Sequence, residues 1–505
     1  MEKMPKVSTG LKENETYLRT ELKDCADVVF RTFYLGQQPA VQVLAVFTES
    51  TTQNLQFGNS ALGQMLTRLV NEEGKVILSE VREKKLGLLD VEELEDLPQS
   101  IKGFLSGDVI LFIDGYDKAL KIPNKGYPGL GVTQADSEKG LRGSDESFCD
   151  SVKTNASLLR KRIRSPRLKV REYYVGTKSN TLTYLMYMEG IVEPEILKRI
   201  EERLAAYRID RILDSGTEQQ LIVEQGRSPF PQIQSTRRPS FAAEELMEGR
   251  AVLIFDNSPE VLLLPSAFQD FLTAADDNFL NYQIVSMIRG LRYLACFFAM
   301  TFPGLYIVAC SYENMMLPTD LLLAVQKAAE GNPFGAPVEI LMMEISFELL
   351  REAGVRMPGD LGNAIGIVGG LIIGSAAVDA SLVSPIVVIV VAFTALCSFS
   401  IPSEELTQTF RVLKFGFILL CMLAGPVGMV VGFLAVTLHL SGLTSLGKPF
   451  LSKVHTTFQI PARQKQYRGV YGFNQNPVRL RKVARFGNKN RKEDDAPTST
   501  SERKG

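Results

Sequence analysis

The longest apolar stretch of the chain is the segment 361–402, in which Asp379 is the one charged side chain. The segment divides into two apolar runs, 361–379 and 384–402, with a polar break between them. Each run has about the 20 residues that a helix needs to cross about 30 Å of hydrocarbon. The pattern therefore predicts two membrane-spanning helices.

Two more apolar stretches follow the same rule. Residues 293–312 are uncharged, and residues 415–447 contain no Lys, Arg, Asp or Glu. Because two crossings need about 40 residues, the second stretch predicts one long helix over 414–441, kinked at Gly425-Pro426. The sequence thus predicts an α-helical, polytopic membrane domain over 289–447 with four spans.

The segment 317–353 predicts amphipathic helices that are too charged to span. Glu344, Glu348 and Glu352 recur every four residues and so share one helical face. An in-plane or re-entrant position on the far side of the membrane fits such helices.

Four glycines mark one face of the 361–379 helix, because they also recur every four residues. They are Gly362, Gly366, Gly370 and Gly374. This small-xxx-small pattern predicts helix packing. The opposite face holds Val368, Leu371, Ser375 and Asp379. Either this face lines a pore, with an apolar constriction and a wetter mouth, or Asp379 caps the helix and the apolar face meets lipid.

The N-terminal half alternates strand and helix patterns at an ordinary density of charge. A disordered tail is predicted over 1–15, a first α/β subdomain over 16–140 and a second over 141–288. Strands are predicted at 41–47 and on both sides of the Asp114-Gly115 turn. The fold class is therefore α+β, with a two-part α/β domain before the helical one.

Charge adds an orientation. The segment 448–505 is predicted to be a basic tail, and Arg289 and Arg292 precede the first span. By the positive-inside rule both ends of the membrane domain face the cytoplasm. The start of the chain lacks the apolar core of a signal peptide, which fits the same side. The basic cluster 160–171 is interpreted as a solvated helix face or, alternatively, as a surface for anionic lipid or a partner.

Catalytic chemistry is sparse. The chain has 2 His and 6 Cys, without a CxxC pair, and no Walker, GxSxG or HExxH motif. We expect no enzyme activity, no cofactor and no metal site. No nucleic-acid-binding motif accompanies the basic cluster, so nucleic acid is not an expected partner.

Several long stretches together resemble the GerA family of spore germination proteins, specifically the A subunits of nutrient germinant receptors. They include RGSDESFCDSVKTNASLLRKRIRSPRLK, SPFPQIQSTRRP, EGRAVLIFDNSPEVLLLPSAF, NPFGAPVEILMMEISFELLREAGVRMP and IGIVGGLIIGSAAVDASLVSPIVVIVVAFTALCSFSIP. The resemblance is weakest over 1–140 and after about 449. One departure is SEELTQTF after Pro402, where the family commonly has a more aromatic, less acidic connection.

The resemblance implies a spore inner-membrane protein with its N-terminal domain on the core side. It implies a transporter-like B subunit and a lipoprotein C subunit as partners, and a homo-oligomeric ring that forms a nutrient-gated ion channel. In such a ring the 361–379 helix becomes a leading candidate to line the pore. The alternatives are a non-conducting scaffold that relays a partner's signal, or the paralogue of A subunits from the SpoVA operon. A small-molecule site in the soluble domain is a weaker hypothesis, because no ligand fingerprint is present.

Overall fold

The computed structural model places two antiparallel sheets, each packed with helices, before a helical domain. It describes residues 5–37, 40–49, 51, 69, 72–73, 76–77, 79, 91–124, 144–206, 210, 215–278, 280–313, 315, 317–356, 370 and 372–452. The first unit contains α1 (Leu11–Glu21), β1 (Val28–Leu35), β2 (Val41–Thr48), β3 (Glu92–Leu94), α2 (Leu97–Leu105), β4 (Val109–Ile113) and β5 (Ala119–Ile122). The strands form an antiparallel sheet in the order β1-β2-β4-β5-β3.

The second unit repeats this strand order as β6-β7-β9-β10-β8. Its elements are α3 (Val152–Arg162), β6 (Leu168–Val175), β7 (Thr181–Met188), α4 (Pro194–Ala206), α5 (Ser215–Ile222), β8 (Gln234–Thr236), α6 (Pro239–Glu248), β9 (Ala251–Phe255) and β10 (Val261–Leu264). Helices α3 and α6 pack on one face of this sheet, and α4 and α5 on the other. The mixed α/β character predicted for the N-terminal half is confirmed.

The predicted disordered tail over 1–15 is wrong for residues 5–15. Helix α1 begins at Leu11, and Val7, Leu11 and Asn14 are buried. The side chain of Asn14 accepts a hydrogen bond from the Ser8 amide at 2.9 Å. The polar composition of this segment conceals these few apolar anchors, which close one face of the first sheet.

The helical domain contains α7 (Tyr282–Ser311), α8 (Thr319–Ala329), α9 (Ala336–Arg356), α10 (Pro385–Phe399) and α11 (Glu404–Gly442). Residues 372–379 are also helical. Ser-Pro at 384–385 begins α10, and Ser403 begins α11; each serine hydroxyl accepts a hydrogen bond from an amide three residues on. Among the described residues, Gln283–Ser311 and Glu404–Gly442 are long and apolar enough to cross a membrane.

Helix α11 is not the single long helix that the sequence predicts. Gly425 has φ 56° and ψ −132°, outside the helical region, and the chain reverses there. Leu420 and Gly428 would be about 12 Å apart in a straight helix, yet a Cβ on Gly428 would overlap the Leu420 carbonyl. Both ends of α11 accordingly contact the ring of Phe230. The centroid of this ring is 6.3 Å from that of Phe410 and 5.9 Å from that of His439. The element is a hairpin with limbs 404–424 and 426–442.

The in-plane or re-entrant position predicted within 317–353 stays a prediction, but the structure gives the path of α9. Near its start, Glu339 accepts a hydrogen bond from the Ser384 amide at the beginning of α10. Near its other end, Arg351 lies over the Phe399 ring, 5.5 Å from its centroid, at the end of α10. Helix α9 therefore runs alongside α10, from the first turn of α10 to its last.

Candidate functional site

The predicted carboxylate face of α9 meets two cations on the first limb of α11. Glu344 and Lys414 form an ion pair of 2.5 Å, with side chains 1% and 4% exposed. Glu348 accepts hydrogen bonds from Arg411 Nε at 3.0 and 3.1 Å, and Lys414 Nζ is also 3.6 Å from Glu348 Oε1. These two carboxylates and two cations sum to zero charge. We call these four residues the charged network.

Local geometry explains why the network forms. Glu344 and Glu348 are four residues apart on α9, whereas Arg411 and Lys414 are three apart on α11, so each pair occupies one helical face. Glu352, one turn further, lies at the exposed end and pairs with Arg356 at 2.7 Å. Burial thus distinguishes the first two carboxylates from the third.

The sequence interpretation did not identify Arg411, which lies ahead of the uncharged run, or Lys414, at its boundary. A signal was present: two cations at helical spacing opposite three carboxylates at helical spacing. Because a paired charge costs far less to bury than an isolated one, counting charges within each segment separately hides this match.

The glycine face is partly described. A Cβ on Gly370 would lie 3.5 Å from Leu350, and one on Gly374 would lie 3.6 Å from Val388. These two glycines therefore lie next to α9 and α10 of the same chain. Gly362, Gly366, Val368 and Leu371 lie outside the described residues.

Two of the four pore candidates can be placed. Ser375 and Asp379 are exposed, and the Ser375 hydroxyl donates to the Ile372 carbonyl at 3.2 Å. A pore-lining role for the face that carries them stays a prediction.

Both ends of α11 are attached to the second sheet unit. Glu405 accepts hydrogen bonds from Gln219 at 3.1 Å and Ser235 at 3.3 Å, while Thr409 donates to the Pro229 carbonyl at 2.5 Å. On the returning limb, His439 is hydrogen-bonded to Ser228 at 2.8 Å. The loop that the sequence shows as SPFPQIQS therefore contacts both limbs of the hairpin.

A short hairpin after α11, residues 443–450, packs against the second sheet unit; we call it the strap. It comprises β11 (Thr444–Ser445) and β12 (Lys448–Pro449). Leu446 belongs to the core formed by α4, α5 and the second sheet, and is 4% exposed. The Ser445 hydroxyl donates to the Gln232 carbonyl at 2.8 Å, and the Phe268 amide donates to the Phe450 carbonyl at 2.9 Å.

The start of α7 is also attached to the segment that follows the second sheet unit. Arg289 and Arg292 donate to Asp277 at 3.1 and 2.8 Å. The carboxylate of Asp277 is 1% exposed. These arginines, which the sequence singles out as orientation markers, are thus also structural anchors between the sheet unit and the helical domain.

A groove of about 510 Å³ separates the edges of strands β1 and β6. Phe30, Arg171 and Tyr173 line it. Arg171 is already paired with Asp24 at 2.9 Å and with Glu201. Burial and the hydrogen bond to Glu201 raise the pKa of Tyr173 to about 12. Arg171 is therefore already neutralised by its two acidic partners.

The comparisons with known proteins decide the family. A family model described as "Bacillus/Clostridium GerA spore germination protein" matches residues 16–468. The chain belongs to the GerA family.

Similar GerA-family proteins include spore germination protein KA of Bacillus subtilis (strain 168), 34% identical over 449 residues, which are 88% of this chain and 82% of that protein. A protein named uncharacterized membrane protein YfkQ, from the same strain, is 35% identical over 448 residues, 89% of this chain and 86% of its own length. The crystal structure of the N-terminal domain of the A subunit of the Bacillus megaterium spore germinant receptor GerK3 matches with 26% identity and a TM-score of 0.40, over 52% of this chain and 98% of that one.

Proposed function

We propose that this chain is the A subunit of a nutrient germinant receptor in the spore inner membrane. The observation that carries the proposal is the GerA family match over residues 16–468. The apolar surface of the helical domain supports a membrane location, since Leu423, Val430 and Ile389 are 82%, 67% and 66% exposed. Such a surface is costly in water and favourable in lipid.

We infer six crossings, by α7, α9, the 361–379 helix, α10 and the two limbs of α11, in place of the four that the sequence predicts; both numbers are even. The contacts of α7 and of both ends of α11 with the sheet unit support this count, because an even number returns the chain to its starting side. The proposed topology keeps the N-terminal domain and the strap on the core side.

In the proposed mechanism several copies form a ring whose opening passes monovalent ions. A transporter-like B subunit senses the nutrient, and a lipoprotein C subunit completes the receptor. The face with Val368, Leu371, Ser375 and Asp379 lines the axis. The protein itself does no covalent chemistry in this scheme.

A flux assay tests the channel. The purified oligomer is reconstituted in liposomes, and Val368→Ala and Leu371→Ala are compared with the parent chain. If these side chains form the constriction, each variant leaks cations without nutrient. An intact ring that conducts under no condition, in either variant, contradicts the channel.

The second candidate is a non-conducting relay. The contacts between the second sheet unit and both limbs of α11 favour it, because they couple that unit to the helical domain. A relay predicts that Val368→Ala spores germinate normally or lose assembly, without a spontaneous ion leak.

A further inference from the structure

The ammonium of Lys414 lies between two carboxylates. Its Nζ is 2.5 Å from Glu344 Oε2 and 3.6 Å from Glu348 Oε1. The aromatic ring of Phe415 completes this surrounding, with its centroid 5.4 Å from the same nitrogen. Two anionic oxygens and a ring face are groups that attract a compact cation.

One carboxylate oxygen of Glu344 has no hydrogen-bond partner among the described residues. Its Oε1 is buried and accepts no hydrogen bond from the described residues, although the side chain is 1% exposed. Buried carboxylate oxygens are ordinarily paired, because removal from water is costly. Lys414 therefore meets one oxygen of this carboxylate and leaves a second one available.

We propose that Glu344 and Glu348 form a binding site for a monovalent cation and that the Lys414 side chain occupies it in this conformation. The charges support a valence of one: two carboxylates and Arg411 leave room for a single further positive charge. A divalent ion would leave an excess positive charge at this site, and the described residues contain no group of three or more acidic, His or Cys side chains that would hold a metal.

This site goes beyond the proposed receptor function, since a cation bound there is measurable whether or not the oligomer conducts. The proposal also gives Lys414 a role: its ammonium occupies the site in place of a free cation. An ammonium on a flexible stem is exchangeable for a free cation of similar charge, whereas the Arg411 guanidinium, held by hydrogen bonds from both Nε and Nη2 to Glu348, is not.

Thermal unfolding of the purified full chain in detergent tests the proposal. Lys414→Ala is compared in potassium, sodium and ammonium chloride against N-methylglucamine chloride at equal ionic strength. We expect the Tm of the variant to rise by about 3 °C or more in at least one small-cation salt at tenfold the Kd. The unsubstituted chain and Lys327→Ala, which removes an exposed lysine of α8, should respond equally to all four salts.

The double variant Lys414→Ala/Glu344→Gln separates site formation from general destabilisation. It removes one charge of each sign, so it should fold without a preference among the salts. Recovery of folded Lys414→Ala only in small-cation buffers supports the site. Equal stability of that variant in all four salts, or failure to recover it in any of them, overturns the proposal.

Discussion

Arg160 shows how much a single buried pair contributes to the soluble units. Its guanidinium is fully buried and donates to both oxygens of Asp27 at 2.6 and 2.9 Å, joining α3 to the segment before β1. Asp27→Asn would leave this buried cation without its counter-charge. We expect a loss of about 3–5 kcal/mol in unfolding free energy, measured by denaturant unfolding of the N-terminal sheets within the full chain.

The matched control is Lys178→Met, which breaks an ion pair of 2.6 Å with Asp210 whose side chains are 76% and 65% exposed. Solvent screens such a pair, so its loss should leave the unfolding midpoint nearly unchanged. Comparable destabilisation by the two variants would contradict the role assigned to burial.

Glu146 makes the stability of the second sheet unit depend on pH. Burial raises its pKa, but hydrogen bonds from Lys161 and Arg162 outweigh burial and bring the pKa below the ordinary 4.5. A depressed pKa stabilises the fold above pH 4.5, and this contribution is lost as the pH falls through the folded value. Glu146→Gln should therefore flatten the decline in Tm below about pH 5 and leave its slope unchanged above pH 6. An identical acid limb in the variant would refute this.

The same residues correct the interpretation of the basic cluster 160–171. The sequence presents it as a solvated helix face or, alternatively, as a surface for anionic lipid or a partner. In the structure Arg160, Lys161 and Arg162 are tied to carboxylates, and Lys169 donates to the Glu21 carbonyl at 3.0 Å. The acidic partners come from distant positions, so a local charge count misses them.

At the scale of elements, the tight reversal of α11 depends on two glycines. Gly425 has positive φ, and a Cβ there would lie 2.7 Å from the Tyr312 ring. Gly428 sits against the backbone of the opposite limb, where a Cβ would overlap the Leu420 carbonyl. We expect Gly428→Ala to separate the limbs and lower the Tm of the solubilised chain markedly.

Gly416→Ala is the control for this substitution. It lies within the same helix, and a Cβ there would meet nothing within 4 Å. Replacing an unhindered helical glycine by alanine stabilises a helix by up to about 1 kcal/mol. Equal losses at the two positions would show that steric contact between the limbs is not the cause.

Much of the element order follows from the sequence, and the exceptions share a cause. The apolar run 41–47 predicts β2, the Asp114-Gly115 turn predicts β4 and β5, and Gly425-Pro426 correctly marks a break. The path of α9 and the reversal of α11 escape prediction because Glu344, Glu348, Arg411 and Lys414 make their segments look too polar for an apolar environment. Their mutual neutralisation is a property of the pair of helices, not of either alone.

At the scale of the whole molecule, the strap joins the end of the helical domain to the soluble core. Leu446→Ala removes a buried side chain from that core and should cost about 2–5 kcal/mol. Hydrogen exchange should then accelerate both in β9 and β10 and in the returning limb of α11. Leu438→Ala, at a position 63% exposed on that limb, should change neither. Acceleration confined to the strap would contradict the coupling.

The strand order of the two sheets was beyond local pattern analysis. Each sheet pairs its second strand with its fourth, which depends on contacts between residues distant in sequence, such as Val43 with Ile113 and Thr183 with Phe255. The two sheets have the same strand order, so the two units share one topology. Their shared topology is visible only once the long-range pairing is known.

The position of Leu446 also constrains the order in which the protein is made. The strands around it are translated first, yet this core position is filled by a residue that leaves the ribosome only after every helix of the helical domain. The second soluble unit therefore completes its interior last. A nascent chain that ends before residue 446 lacks this side chain. The core of its second sheet unit then contains a cavity that the full-length chain does not have.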